Sequence, residues 1–160
     1  MPDKTRLITA LIEKLEADRD LQTRAALLAR DEATNEESRA ENKYDTRGQE
    51  AAYLAEGQAK LAAELADAIR LYRSLELPAT PPPAALKIGS VFTIERLGGP
   101  LHGLIGPRAG GTDFTVDDTT YTVITPSSPL GRAVLGRKAG DTVYLVQRGK
   151  PQPHRITATA

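Results

Sequence analysis

The sequence predicts an α+β protein: an antiparallel two-helix coiled-coil hairpin, then a small antiparallel sheet domain carrying one short helix. Three observations lead there. A heptad spacing of apolar residues runs from Ala51 to Leu75. A proline-rich stretch, LPATPPPAAL, occupies Leu77 to Leu86. Beyond it the chain breaks into short alternating stretches punctuated by Gly, Asp and Pro, the pattern of strands and turns.

The second helix carries the strongest periodicity. Ala51, Leu54, Gln58, Leu61, Leu65, Ala68, Tyr72 and Leu75 are spaced alternately by three and four, a seam of more than three heptads. Gln58 is its one polar member, a residue type able to fix register. Gly57 costs this helix about 1 kcal/mol relative to alanine. The first helix is expected to start after Pro2, with Asp3 or Thr5 near its cap. It lines up Leu7, Ile8, Leu11, Ile12 and Leu15, then Leu21, Ala25 and Leu28, with Asp18 interrupting. Two helices of about 30 residues make a hairpin roughly 45 Å long. The expected division is a hairpin over 1–77 with its tip at about 33–46, a proline-rich linker over 78–85, and a C-terminal domain over 86–160. Proline ends the second helix, and Pro81 to Pro83 stiffen the linker.

In the C-terminal domain, SVFTIERL (Ser90 to Leu97) and GLIGPR (Gly103 to Arg108) read as strands. TDFTVDDTTYTVIT (Thr112 to Thr125) reads as two strands around Asp117-Asp118, and DTVYLVQRG and HRITAT as the last pair. SPLGRAVLG reads as the short helix, with Ser128 as its cap, Pro129 in its first turn and Gly136 closing it.

Composition narrows the chemistry. The chain has no Cys and no Trp, with two Phe and five Tyr, so disulfides, thiolate metal sites and Cys nucleophiles are excluded. His102 and His154 are far apart and read as surface or structural residues rather than ligands. No apolar run approaches the ~20 residues that span a bilayer, and MPDKTRLITA lacks a secretory hydrophobic region; a soluble, cytoplasmic protein is expected. The glycines at 98, 99, 103, 106, 110 and 111 fit no phosphate-loop spacing and read as turn residues. Arg132, Arg137, Lys138, Arg148, Lys150 and Arg155 lack the interleaved aromatics of a nucleic-acid surface.

The zero net charge hides an asymmetry. Residues 1–85 hold 12 basic and 16 acidic side chains, and residues 86–160 hold 9 and 5. Residues 31–56 alone hold eight acids against Arg39, Lys43 and Arg47. Such a spot creates a local field that attracts cations or basic partners. Glu37, Glu41 and Asp45 are spaced by four, so in a helix like charges would share one face at a cost of a few tenths of a kcal/mol per pair. Carboxylates at a turn can hold Mg²⁺, yet a few exposed ones bind it weakly unless other oxygens complete the shell. A tip on a long lever points to a partner that supplies those oxygens.

Two segments carry a family resemblance. SPLGRAVLGRKAGDTV (Ser128 to Val143) resembles the C-terminal signature of the bacterial Gre transcription elongation factors. ENKY (Glu41 to Tyr44) resembles the Glu-Asn-x-x-Tyr neighbourhood of the Gre hairpin tip. Length and domain order agree over nearly the whole chain. The resemblance implies an FKBP-like C-terminal domain, a hairpin inserted through the secondary channel of RNA polymerase, and tip acids that help the polymerase cleave backtracked RNA. It implies Glu41 and Glu37 as the assisting carboxylates and as ligands of a Mg²⁺ shared with the polymerase, with no cofactor of the chain's own. It implies Asn42, Tyr44, Ser128, Pro129, Leu130 and Arg132 as partner-binding residues. The protein would be an accessory factor rather than an enzyme. Its partner would be bacterial RNA polymerase, with the RNA 3′ end touched only indirectly, no membrane, and a monomeric chain. The tip departs from the family pattern Asp-x-x-Glu-Asn: Ser38 stands at the aspartate position, and Tyr44 comes one residue early. That departure sets a second expectation beside the first, a Gre-like regulator that occupies the channel without stimulating cleavage. Two readings of other classes remain. A prolyl isomerase would need an apolar aromatic pocket, for which Phe92, Phe114, Tyr121 and Tyr144 are the only rings after the linker. A plain dimerising adaptor would use the hairpin alone.

Overall fold

The computed structural model describes residues 2–34, 46–78 and 84–160. Two long helices, α1 (Lys4–Thr34) and α2 (Arg47–Arg73), precede six strands and a short helix. These are β1 (Val91–Ile94), β2 (Leu101–Ile105), β3 (Asp113–Val116), β4 (Thr119–Ile124), α3 (Pro129–Val134), β5 (Thr142–Gln147) and β6 (Lys150–Thr159). The fold is α+β, as the sequence predicts.

Local chemistry sets the helix ends. The Asp3 carboxylate accepts the Thr5 N–H at 3.2 Å, which satisfies one of the free donors at the start of α1. At its end the Thr34 hydroxyl donates back to the Arg30 carbonyl at 3.1 Å. Glu50 lies in the first turn of α2, where a negative charge favours the helix dipole, and it accepts from the Thr46 hydroxyl at 3.1 Å.

The chain divides into two compact units, one of residues 13–70 and one of Met1–Ile12 with Leu71–Ala160. In the first, each helix turns a row of buried or half-buried residues inward: Leu15, Gln22, Ala25 and Ala29 on α1, and Ala51, Ala55, Gln58, Leu65 and Ile69 on α2. The rows match in order, with alanines at one end, a glutamine in the middle and larger aliphatics at the other. Of the expected α2 seam, Ala51, Gln58, Leu65, Ala68, Tyr72 and Leu75 are buried or half-buried, but Leu54 and Leu61 are 54% and 47% exposed, and Leu21 and Leu28 of α1 are exposed too. Ala55, Ala62 and Ile69 take the inner places. The reason is geometric. With 3.6 residues per turn, positions three and four beyond an inward residue flank the same stripe on opposite sides, so spacing alone does not choose between them.

In the second unit the sheet has the order β3-β4-β2-β1-β6-β5. One feature differs from expectation: β2 and β4 pair in parallel, His102 opposite Tyr121 through Ile105 opposite Ile124, while every other pair is antiparallel. The chain leaves β2 for the edge position of β3, and the β3–β4 hairpin then returns into the gap beside β2. The strand pattern in a sequence reports which face is buried, not strand direction. Strand ends also shift, with β1 stopping at Ile94 and β2 starting at Leu101. The core is built from Leu86, Phe92, Ile94, Ile105, Ile124, Val134, Val143 and Ile156, and Leu130 and Leu135 of the α3 segment pack onto it.

Asp117 and Asp118, with φ of 48° and 61°, form the two-residue turn between β3 and β4. Positive φ at both positions matches the twist of the flanking strands, and Asp tolerates it better than most residues. Asp117 also accepts both terminal nitrogens of Arg6, at 2.9 and 2.8 Å. The pair raises the Arg6 pKa, chiefly through that hydrogen bond.

The helix ends are tied in by Tyr72 and Lys4. Tyr72 is 1% exposed, and its hydroxyl donates to the Arg108 carbonyl at 2.6 Å. A Cβ on Gly106 would stand 1.9 Å from that hydroxyl oxygen and 3.0 Å from Val123. Gly106 is therefore glycine because the phenol occupies its side-chain space. The Lys4 ammonium donates to the Pro78 carbonyl at 2.6 Å, and burial, then repulsion from Lys87, lowers its pKa.

Gly106→Ala should destabilise the protein by about 2–4 kcal/mol through overpacking and the displaced hydrogen bond. Tyr72→Phe should cost about 1 kcal/mol. In urea unfolding the double mutant should lose less than the two single losses combined, because both act on one contact. Burial raises the Tyr72 pKa strongly, with the Arg108 hydrogen bond opposing. The unfolded chain releases that proton near pH ~10 while the folded chain retains it. Stability is thus full below that pH and falls as pH rises above it. Tyr72→Phe should flatten the fall, leaving the smaller contribution of Tyr121, whose pKa burial also raises.

Candidate functional site

The signature segment from Ser128 to Val143 contains residues whose identities are set by backbone geometry. Ser128 has extended φ and ψ and caps α3: its Oγ accepts the Gly131 N–H at 2.9 Å and donates to the Thr125 carbonyl at 2.8 Å. Pro129 occupies the first turn, where a missing N–H costs nothing. A Cβ on Gly131 would lie 1.9 Å from the Thr125 carbonyl oxygen, so the turn closes only over glycine. Val134 is fully buried, and the Gly136 N–H donates to the Leu86 carbonyl at 2.9 Å, which holds the first residue after the linker against the end of α3. Asp141 accepts the Lys138 N–H at 2.9 Å and so closes the turn before β5.

The same segment lines a cleft of about 870 Å³. The structure brings Ser128, Pro129, Leu130 and Arg132 together along one side of it, with Tyr144, Leu145 and Val146 of β5 also in its lining. Pro129 and Arg132 are exposed, while Ser128 and Leu130 are half-buried. The Arg132 guanidinium donates to the Ser127 carbonyl. Tyr144 and Val146 are 65% and 74% exposed, and sequence reasoning did not single out Val146. A signal was present: TVYLV is apolar at consecutive positions, which an edge strand with one covered face does not need. Of the four rings after the linker, Phe92, Phe114 and Tyr121 are buried and only Tyr144 reaches this cleft. That does not make the aromatic pocket of a prolyl isomerase.

The acidic candidates Glu37 and Glu41, with Ser38, Asn42 and Tyr44, lie outside the described residues. Among the described residues no group of three or more His, Cys, Asp or Glu side chains is placed to hold a metal ion. No described helix is long and apolar enough to cross a membrane. Of the two histidines, His154 is buried and takes a structural bond: its Nδ1 lies 3.1 Å from the Glu95 carbonyl. His102 sits within 3.0 Å of the Thr93 hydroxyl and near the Tyr121 ring.

No family model and no curated protein matches this chain. Among solved structures it is similar to the GreA factor homolog 1 (Gfh1) protein of Thermus thermophilus, at 23% identity over 96% of this chain and 94% of that one, with a TM-score of 0.37. Gfh1 of Thermus aquaticus is 22% identical over 93% and 90%, also with a TM-score of 0.37. A further structure, of the transcription factor Gfh1, is 23% identical over 95% and 92%, at 0.37.

Ser128→Ala should cost about 1 kcal/mol, the usual loss for a cap. Gly131→Ala should cost more, because the clash is with backbone rather than with a movable side chain. Thermal unfolding of the full-length protein would rank the two; equal losses would show that the close approach at Gly131 is not a constraint.

Proposed function

We propose that the protein is a Gre-like transcription factor that enters the secondary channel of bacterial RNA polymerase with its helical hairpin and stimulates cleavage of backtracked RNA. The observation that carries this is the signature segment itself. The resemblance to Gre factors runs through its Ser128-Pro129, Gly136 and Gly140-Asp141, and Ser128, Gly136 and Asp141 each have a stereochemical task in the same short stretch. A motif dictated by backbone geometry marks a local fold more firmly than an equal number of surface matches. It follows a pair of long helices whose intervening sequence is rich in acids, the order of parts that such a factor needs.

In this reading the C-terminal domain docks on the polymerase through the cleft edge at Ser128, Pro129, Leu130 and Arg132. Asn42 and Tyr44 contact the channel. Glu41, joined by Glu37 in place of the missing aspartate, lends carboxylate oxygens to a catalytic site that belongs to the polymerase. The Mg²⁺ of that site supplies Lewis-acid activation of the hydrolysis. The hairpin, linker and C-terminal domain then correspond to residues 1–77, 78–85 and 86–160. Ser38 favours a second reading, in which the chain occupies the channel and regulates the polymerase without stimulating cleavage.

Transcript cleavage on a stalled elongation complex separates the two. On the first reading the wild-type protein accelerates cleavage. Glu41→Ala then keeps polymerase affinity and loses most of the acceleration, since a carboxylate that acts only in the assembled site affects rate rather than binding. Glu37→Ala behaves the same way, and Ser38→Asp raises the rate. Polymerase binding with no cleavage establishes the second reading. No binding to polymerase removes both.

A further inference from the structure

We propose that one flank of the helical hairpin is an interface between two copies of this chain. The inference does not depend on the transcription reading.

In the unit of residues 13–70, Leu21, Leu28, Leu54 and Leu61 are 56%, 71%, 54% and 47% exposed. Each immediately precedes a residue that faces inward: Gln22, Ala29, Ala55 and Ala62. A short connection joins α1 to α2, so the two helices run antiparallel. Antiparallel helices are related by a half-turn about the normal to their common plane, and that half-turn keeps the side. A residue one step before an inner one therefore leans to the same side on both helices, and all four leucines share one flank. The inner rows match Ala29 to Ala51 and Gln22 to Gln58. Leu28 then stands within ~3 Å of the level of Leu54 along the axis, and Leu21 within ~3 Å of that of Leu61. The opposite flank, one step after the inner rows, holds Ala26, Ala52 and Ala59 instead. Flanking positions of a two-helix seam often carry charge, so four leucines on one side alone are an unpartnered apolar face.

Area and charge point to a second copy. The four leucines expose roughly 400 Å² per chain, about half of the ~800 Å² that each partner gives to a stable interface. Bordering side chains supply the remainder: Lys14, Arg24 and Asp31 along α1, and Arg47 and Glu64 along α2, all exposed. A copy related by a two-fold axis along the hairpin lays its α2 over this α1 and completes a four-helix bundle with antiparallel neighbours. By the same row matching, Lys14 then meets Glu64 and Asp31 meets Arg47, each opposite-charge pair being made twice by symmetry. Lys14 also bonds Asp18 within α1, and its ammonium has three donors, so that exposed pair does not exhaust it. The other two-fold arrangement, α1 over α1, stacks Arg24 on Arg24 and is disfavoured.

Sedimentation velocity of the full-length protein from one to several hundred micromolar tests this. The expected result is a reversible dimer. Leu28→Glu and Leu54→Glu, at exposed positions, should each weaken association at least tenfold without changing the thermal midpoint of dilute protein, and Ala59→Glu on the opposite flank should leave association unchanged. Lys14→Glu and Glu64→Lys should each weaken self-association by about tenfold. An equimolar mixture of those two variants should recover dimerisation, because every like-charge contact becomes an opposite-charge one. A monomer throughout the concentration range would overturn the proposal. So would a dimer that Ala59→Glu weakens as much as Leu28→Glu does, or a mixture that associates no better than the single charge variants.

Discussion

The phenol of Tyr72 lies where any side chain on Gly106 would have to be, and it donates its proton to the carbonyl two residues further on, at Arg108. Each half of this contact requires the other. A smaller residue at 72 would leave the Arg108 carbonyl without that donor, and a larger one at 106 would expel the ring. The contact joins the last turn of α2 to the segment that follows β2. Because β2 sits between β1 and β4, and so at the centre of the sheet, its exit sets where the β3–β4 hairpin starts. Leu7 and Leu11 of α1 are fully buried in the same compact unit, so the start of one helix and the end of the other share the sheet's framework. The free energy at stake in Tyr72 is a single hydrogen bond and one buried ring, yet it is not replaceable piecemeal.

A second class of constraint lies in the turns. The β3–β4 and β5–β6 connections are two-residue turns with both central residues at positive φ: Asp117-Asp118 in one and Arg148-Gly149 in the other. Asp117 and Arg148 hold a conformation that costs an L-residue free energy. For Asp117 the ion pair with Arg6 gives the residue a second task, although both side chains are exposed and such pairs contribute little. The same logic governs α3. A helix of six residues has little stability of its own, so the Ser128 cap, the Gly131 contact with Thr125 and the buried Val134 hold it together.

The helical unit relies on small residues. Ala29 and Ala55 join the expected Ala25 and Ala51 in the inner rows, and the leucines at 21, 28, 54 and 61 face outward. Alanine rows let two helix backbones approach closely, at the cost of little apolar area per residue. Gln58 lies in this row with a buried side-chain oxygen that has no hydrogen-bond partner among the described residues, consistent with a polar residue kept for register rather than for stability.

By itself the sequence determined the α+β class, both long helices, the short helix with its Ser128 cap, and the Asp117-Asp118 turn. These depend on near neighbours: periodicity, proline, cap and turn residues act within a few positions. It also held the motif residues on which the functional reading rests, since chemistry is a matter of residue type before it is one of place. Only the tertiary structure decided the parallel pairing of β2 with β4, the choice of Ala55 and Ala62 over Leu54 and Leu61, and the meaning of Gly106 and Gly131. It alone placed Val146 and Ser128 in the lining of one cleft. These depend on residues far apart in the chain. A strand's alternation is the same in either direction, a helix stripe has two equivalent flanks, and a glycine does not record which distant atom fills its space.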